Sequence, residues 1–215
     1  MTCLDGQRYL FYTVNESIKR NLPVELALLP FIESQFDPYA QSATGASGIW
    51  QFILSTAREQ KLKKNWWYDG RRDIVASTGA AYDYLIKLHS KYDNWLLAIA
   101  AYNAGPNRIS KEIRKNKEKG LKTDFWSLNL PRETKAYVPK LLSLVEVIKN
   151  PEKFSVSIPF LPNRPYFQLV TLPSQVDLMQ VANISGLKLE VIYELNPGFN
   201  QWATDPNGPF HILLP

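Results

Sequence analysis

"LLPFIESQFDP", residues 28–38, places a single carboxylate, Glu33, at the end of a strongly apolar segment. Seven of the eight residues from Val24 to Phe31 are apolar. On a helix, the residues three, four and seven positions before Glu33 share its face; they are Pro30, Leu29 and Leu26. The carboxylate is therefore expected beside an apolar stripe at a helix end. A low-dielectric setting disfavours the ionised form and pushes a carboxyl pKa upward. A Glu held partly protonated near neutral pH is suited to general acid catalysis. A solvated or ion-paired Glu is the ordinary alternative at such a position, and the segment alone leaves both open. The small-residue loop that follows, "QSATGASG" (41–48), carries Gly45 and Gly48, which let another part of the chain approach closely.

Working outward, the apolar periodicity from Leu10 to Leu144 is helical. Pro23 suits a first helical position, and Val24 to Ile32 follows as a helix that Pro30 should kink, freeing the carbonyl of Leu26. Residues 49–60 read as a short helix and "NWWYDGRRD" (65–73) as a loop. Ile74 to Leu88 is a helix with Ala80, Ala81 and Leu85 on one side. "NWLLAIAAYNAGPNR" (94–108) is an apolar helix stopped at Gly105-Pro106. A basic helix runs to Gly120, and Pro131 opens a last long helix through Ile148. Four prolines between Asn150 and Pro165 then mark a stiff linker. Beyond it "YFQLVTL" (166–172) favours a strand, and Ser174 can cap a helix from about Gln175 to Ile184, with Gly186 after its end. Residues 187–195 form a second helix and "FHILLP" (210–215) a closing strand. The expected domains are 1–150, a linker 151–165, and a small unit 166–215.

The composition of the 215 residues is that of a globular protein, with 45% hydrophobic and 21% charged residues. Six Trp give a high aromatic load, fit for a core or for stacking on flat ligands. Residues 111–122 carry six basic residues against two acidic ones, whereas the remainder is nearly balanced. This patch reads first as a solvated helix face, with a polyanion contact as the alternative. The single Cys3 allows no disulfide within the chain and, with two residues before it, does not by itself read as a lipid-attachment site. No apolar run reaches membrane-spanning length and no signal peptide is visible. His89 and His211 lack partners at metal-ligand spacing, no phosphate-cradling glycine motif occurs, and Ser47 in "GASG" lacks the setting of a nucleophile elbow.

Four blocks in order carry a family resemblance: "ALLPFIESQFDPYAQSATGASGIWQF" (27–52), "YDGRRDIVASTGAAYDYL" (68–85), "LLAIAAYNAGPNRI" (96–109) and "TDFWSLNLPRETKAYVPKLL" (123–142). Over about residues 8–150 the chain resembles the catalytic domain of the family 1 lytic murein transglycosylases, most closely the membrane-bound D group. The resemblance implies a mainly α, lysozyme-like catalytic domain with a groove for the glycan strand of peptidoglycan. It implies Glu33 as the catalytic acid and Ser42, Gln51, Tyr102, Asn103 and Tyr137 as groove residues, with no cofactor and no metal. From the residues alone, Tyr102 and Tyr137 could be core aromatics, and Gln51 and Asn103 helix-end caps. One departure from relatives is Leu54 where many carry Pro. Trp66 and Trp67 read equally as a carbohydrate platform or as packing under the loop, and Trp50 as core.

The implied chemistry is non-hydrolytic. Glu33 protonates the oxygen linking N-acetylmuramic acid to N-acetylglucosamine, and the muramic acid's acetamido group supports the electron-poor anomeric carbon. The Glu33 carboxylate then takes the proton of the sugar's C6 hydroxyl, which closes on C1 to leave a 1,6-anhydro end. The nucleophile's intramolecular placement gives it a high effective concentration. The alternatives are a hydrolytic muramidase of goose-lysozyme type and an inactive glycan-binding scaffold. The C-terminal unit resembles a LysM module whose Gly-Asp-Thr opening is replaced by Leu172-Pro173-Ser174, so its part is either glycan binding or bracing. The expected partner is the peptidoglycan glycan strand and not nucleic acid. A monomer acting in the periplasm or cell envelope of a Gram-negative bacterium is implied, with peripheral membrane association through a lipid anchor outside this chain.

Overall fold

The computed structural model describes the backbone of residues 4–215 and side chains from residue 6 onward; Cys3 lies outside the described residues. Nine α-helices and one two-stranded sheet are assigned among them. The chain divides into two compact units, residues 1–80 with 161–215, and residues 81–160.

In the first unit, α1 (Leu4–Lys19) packs against a 3-10 turn, Val24–Leu28, which leads into α2 (Leu29–Glu33). The single kinked helix expected over 24–32 is thus two short ones. Pro30 sits in the first turn of α2, where its missing N–H costs nothing, so the chain restarts the helix there instead of bending one. Leu26, Leu29 and Pro30 are buried, as the apolar stripe predicts. The expected helix over 49–60 shrinks to α3 (Leu54–Glu59). Gln51 occupies the left-handed region at φ 49° and Ile53 is extended, so the first third of that stretch is a turn.

Residues 166–215 form the remainder of this unit. Strands β1 (Gln168–Thr171) and β2 (His211–Leu214) pair antiparallel, with Leu169 opposite Leu213. Helices α8 (Leu178–Ser185) and α9 (Leu189–Leu195) lie between them in the chain. The order is the one expected, but the cap of α8 is Asp177, not Ser174: its carboxylate accepts from the N–H groups of Met179 and Gln180. Gly186 follows in the left-handed region, at φ 68°. Leu178, Ala182, Ile192, Phe199 and Ile212 share one apolar cluster with Tyr68, and Tyr68 forms a β-bridge with Phe199.

The second unit contains the end of α4 (Ile74–Tyr92) and the central helix α5 (Trp95–Ala104). Asn94 caps α5 through its side chain, which accepts from Leu97 N–H. Leu97 to Ala101 are buried without a break, because α5 packs against α6 (Pro106–Glu118), α7 (Arg132–Lys149) and the 3-10 turn Phe125–Ser127. Gly105, at φ 84°, ends α5 and starts α6 in a conformation that L side chains rarely adopt.

Candidate active site

Glu33 is the last residue of α2 and is half-buried. The chain after it turns sharply, with Gln35 at φ 56° and Phe36 at φ 62°. Phe36 is fully buried and anchors that turn, its ring edge-on to Phe31 at 4.7 Å. Ser34 ties the helix end to the next segment, its Oγ donating to the carbonyl oxygen of Ile49 at 3.1 Å. Glu33 is thereby fixed relative to the loop that carries Ser42 and Gln51.

That loop is built by the candidate residues themselves. The Nε2 of Gln51 donates to the carbonyls of Gly48 at 2.8 Å and Ala40 at 3.2 Å. Ser42 Oγ accepts from Ala46 N–H at 3.0 Å and pairs with Thr44 Oγ1 at 2.9 Å. Both hydrogens of the Gln51 amide are thus engaged, and what it can offer a ligand is its oxygen, an acceptor. Gly48 stands at φ 82°, and a Cβ there would come within 1.9 Å of the Arg71 carbonyl oxygen.

Arg71 holds this loop from outside, a role the sequence reading missed. Its Nη1 donates to the carbonyls of Gly45 at 2.8 Å and Phe52 at 3.3 Å. Its Nε and Nη2 grip both oxygens of Asp69 at 2.9 and 2.7 Å. Burial alone would raise the Asp69 carboxyl, but the bonds and charge of Arg71 outweigh it and hold the pKa below its ordinary value. The signal was present in "YDGRRD", a basic pair flanked by acids in an otherwise apolar setting. Trp50 is core, as expected: it is fully buried, with Nε1 donating to Thr78 Oγ1 at 3.0 Å.

Tyr102, Asn103 and Tyr137 belong to the second unit. Asn103, in the last turn of α5, accepts from Thr134 Oγ1 at 2.9 Å and donates to Glu133 Oε1 at 3.4 Å. Its oxygen is engaged and one amide hydrogen is left for a ligand, the reverse of Gln51. Tyr137 follows Thr134 by one turn of α7 and is 5% exposed. Tyr102 is half-buried, with its ring 5.8 Å from that of Tyr84. Thr134 and Glu133, which orient Asn103, were not singled out from the sequence, although they lie in the quoted block "PRETKAYVP".

The two histidines are both engaged. His89 stacks on Trp95 at 4.0 Å. His211 meets Asp73 Oδ2 at 2.8 Å. No group of metal-binding side chains occurs among the described residues.

Residues 12–125 match the model of the transglycosylase SLT domain, and residues 166–215 match the LysM-like domain of the lytic transglycosylase MltD. Membrane-bound lytic murein transglycosylase D of Escherichia coli (strain K12) is 42% identical over 213 residues, 99% of this chain and 47% of that one. The chain therefore spans about half the length of that relative. A protein of Alteromonas sp. (strain M-1) named for tributyltin chloride resistance is 37% identical over 174 residues, 80% of this chain and 82% of that one. A solved structure of an inactive mutant of lytic transglycosylase Slt from Pseudomonas aeruginosa aligns over 67% of this chain and 24% of its own, at 29% identity and a TM-score of 0.49. With the transglycosylase domain matched over more than half of this chain and a family LysM-like domain following in order, this chain belongs to the lytic murein transglycosylases.

Proposed function

We propose that this chain cleaves the β-1,4 bond between N-acetylmuramic acid and N-acetylglucosamine in peptidoglycan, without hydrolysis, to leave 1,6-anhydromuramic ends. Glu33 acts first as acid, protonating the glycosidic oxygen, and then as base, taking the C6 hydroxyl proton as that oxygen closes on C1. The same side chain ends the cycle protonated, so no second carboxylate is needed. The observation that carries this reading is the bond of Ser34 Oγ to the Ile49 carbonyl, which fixes the Glu33 helix end against the loop of Ser42 and Gln51.

The free valences of the amides suggest their parts. Gln51 retains an acceptor for an N–H or O–H of the sugar, and Asn103 retains a donor for an acetamido carbonyl. Ser42 keeps hydroxyl capacity for a sugar oxygen, and Tyr102 gives a ring face. The names and family of the relatives support action in the cell envelope. We place the protein in the periplasm as a monomer. Residues 166–215 act as a distinct domain that braces residues 8–73.

Mass analysis of murein digested by the purified chain tests the reaction. Anhydromuramic ends are expected. Reducing muramic ends, 18 Da heavier by the mass of one water, would mean hydrolysis and contradict it.

A further inference from the structure

Three indoles meet on one surface of the first unit. Trp66 and Trp67 come from the loop before α4, and Trp202 from the segment between α9 and β2. The ring centroids are 4.6 Å apart for Trp66 and Trp67, 5.8 Å for Trp66 and Trp202, and 5.6 Å for Trp67 and Trp202. The planes cross at 62° to 83°, so the rings meet edge to face. Trp66 is 58% and Trp202 56% exposed, a cost that an ordinary packing cluster would not leave in place.

The cluster is held open by its backbone. Asn200 N–H donates to the carbonyl of Trp67 at 2.8 Å, and Gln201 Nε2 to that of Trp66 at 3.1 Å. Asn65 Oδ1 accepts from the N–H groups of both Trp67 and Tyr68. Around it Lys63 pairs with Asp205 at 2.7 Å and Arg71 with Asp69 at 2.7 Å, while Arg72 bonds the side-chain oxygen of Asn200. Arg72 also lies over the ring of Tyr39, 5.9 Å from its centroid, and Tyr39 is half exposed.

We propose that Trp66, Trp67 and Trp202 form a saccharide platform, built jointly by the two sequence domains, that grips an N-acetylated hexosamine strand away from the cleaved bond. Indole faces match the C–H faces of such rings, and rigid aromatics bind with little entropy to lose. The proposal rests on the glycan-cleaving reading, and its test separates the two.

The binding arm uses the full chain carrying Glu33→Gln, so that substrate persists. Co-sedimentation with purified sacculi and tryptophan fluorescence on titration with N-acetylglucosamine hexamer are compared for this parent, for Trp66→Ala/Trp202→Ala, and for Trp202→Phe. The double variant is expected to lose about tenfold in sacculus affinity, with the fluorescence response to the hexamer lost, and Trp202→Phe to keep most of both. In the otherwise wild-type chain the double variant should digest sacculi poorly yet cleave a murein tetrasaccharide at the parental rate. Equal retention by parent and double variant overturns the platform, as does an equal loss on sacculi and tetrasaccharide. Trp202→Phe binding as weakly as the double variant while melting at the parental temperature overturns stacking. Should the Glu33→Gln chain still digest sacculi, the catalytic reading fails, and the binding comparison still reports on the platform.

Discussion

Gln51 spends its side-chain amide on the carbonyl of Gly48, 2.8 Å away, and Gly48 in turn lies against the Arg71 backbone so closely that any side chain there would strike it. A candidate substrate residue is thus also the pin of its own loop. Its position depends on a glycine and an arginine that need never touch the glycan. This makes the loop around Ser42 and Gln51 sensitive to changes behind it.

Gly48→Ala is the sharpest case. The substitution combines a left-handed backbone with a backbone clash that no side-chain rotation relieves. We expect loss of stability beyond about 2 kcal/mol and loss of murein digestion. Thermal unfolding within a degree of the parent would contradict the close approach.

Arg71→Met removes the clamp and leaves the Asp69 carboxylate buried with Lys64 at 3.8 Å and the charge of Arg72 as weaker support. Breaking a buried pair from one side costs about 3–5 kcal/mol. A denaturant midpoint shift of that order is expected, and Asp69→Asn in the same background should recover part of it. A double variant less stable than the single one would exclude the pair as the cause.

Thr134→Val tests how Asn103 is oriented. It deletes the hydroxyl that donates to Asn103 Oδ1 and leaves an unsatisfied acceptor, at about 1–3 kcal/mol. Murein turnover should fall, and Thr134→Ser should restore it. If Thr134→Val digests murein as the parent does, the hydrogen bond has no role in presenting the amide.

The bond between His211 and Asp73 predicts a pH profile for stability. Burial alone would raise Asp73 and lower His211, but each partner outweighs it, so Asp73 titrates below and His211 above its ordinary value. Asp73 stabilises the fold above about pH 4, and the gain is lost as pH falls through its depressed pKa. His211 contributes fully below about pH 6.5, and its share is lost as pH rises through its raised pKa. The melting temperature should therefore fall on both sides, and His211→Gln should flatten the alkaline limb and weaken the acid limb. An alkaline limb unchanged by His211→Gln would rule the pair out.

Much of this fold was legible because its helices are long and strongly patterned. The central helix announced itself by Asn94, an unbroken apolar run and Gly105-Pro106, and the structure ends it at Ala104. The errors fell where side chains override local preference. Residues 49–53 have helix-forming composition, yet Gln51 bonds back to Gly48 and Ala40 and takes a left-handed backbone that no periodicity reveals. Ser174 looked like a cap, but Asp177 stands three residues nearer the apolar run and takes both free N–H groups. At the site, residue types and family blocks named the candidate groups. The supports, Arg71, Thr134 and Ser34, act through contacts distant in sequence, which one chain read alone does not display. His211 is the clearest instance: isolated in the sequence, it finds its carboxylate 138 positions away.

The central claim is that one carboxyl group performs both proton transfers, and the rate at which Glu33→Gln releases soluble fragments from purified sacculi tests it most directly. The account predicts a folded protein with the parental melting temperature and a release rate lower by at least about a thousandfold. Release within a few fold of the parent would contradict it, because an amide at position 33 can neither give nor recover the proton.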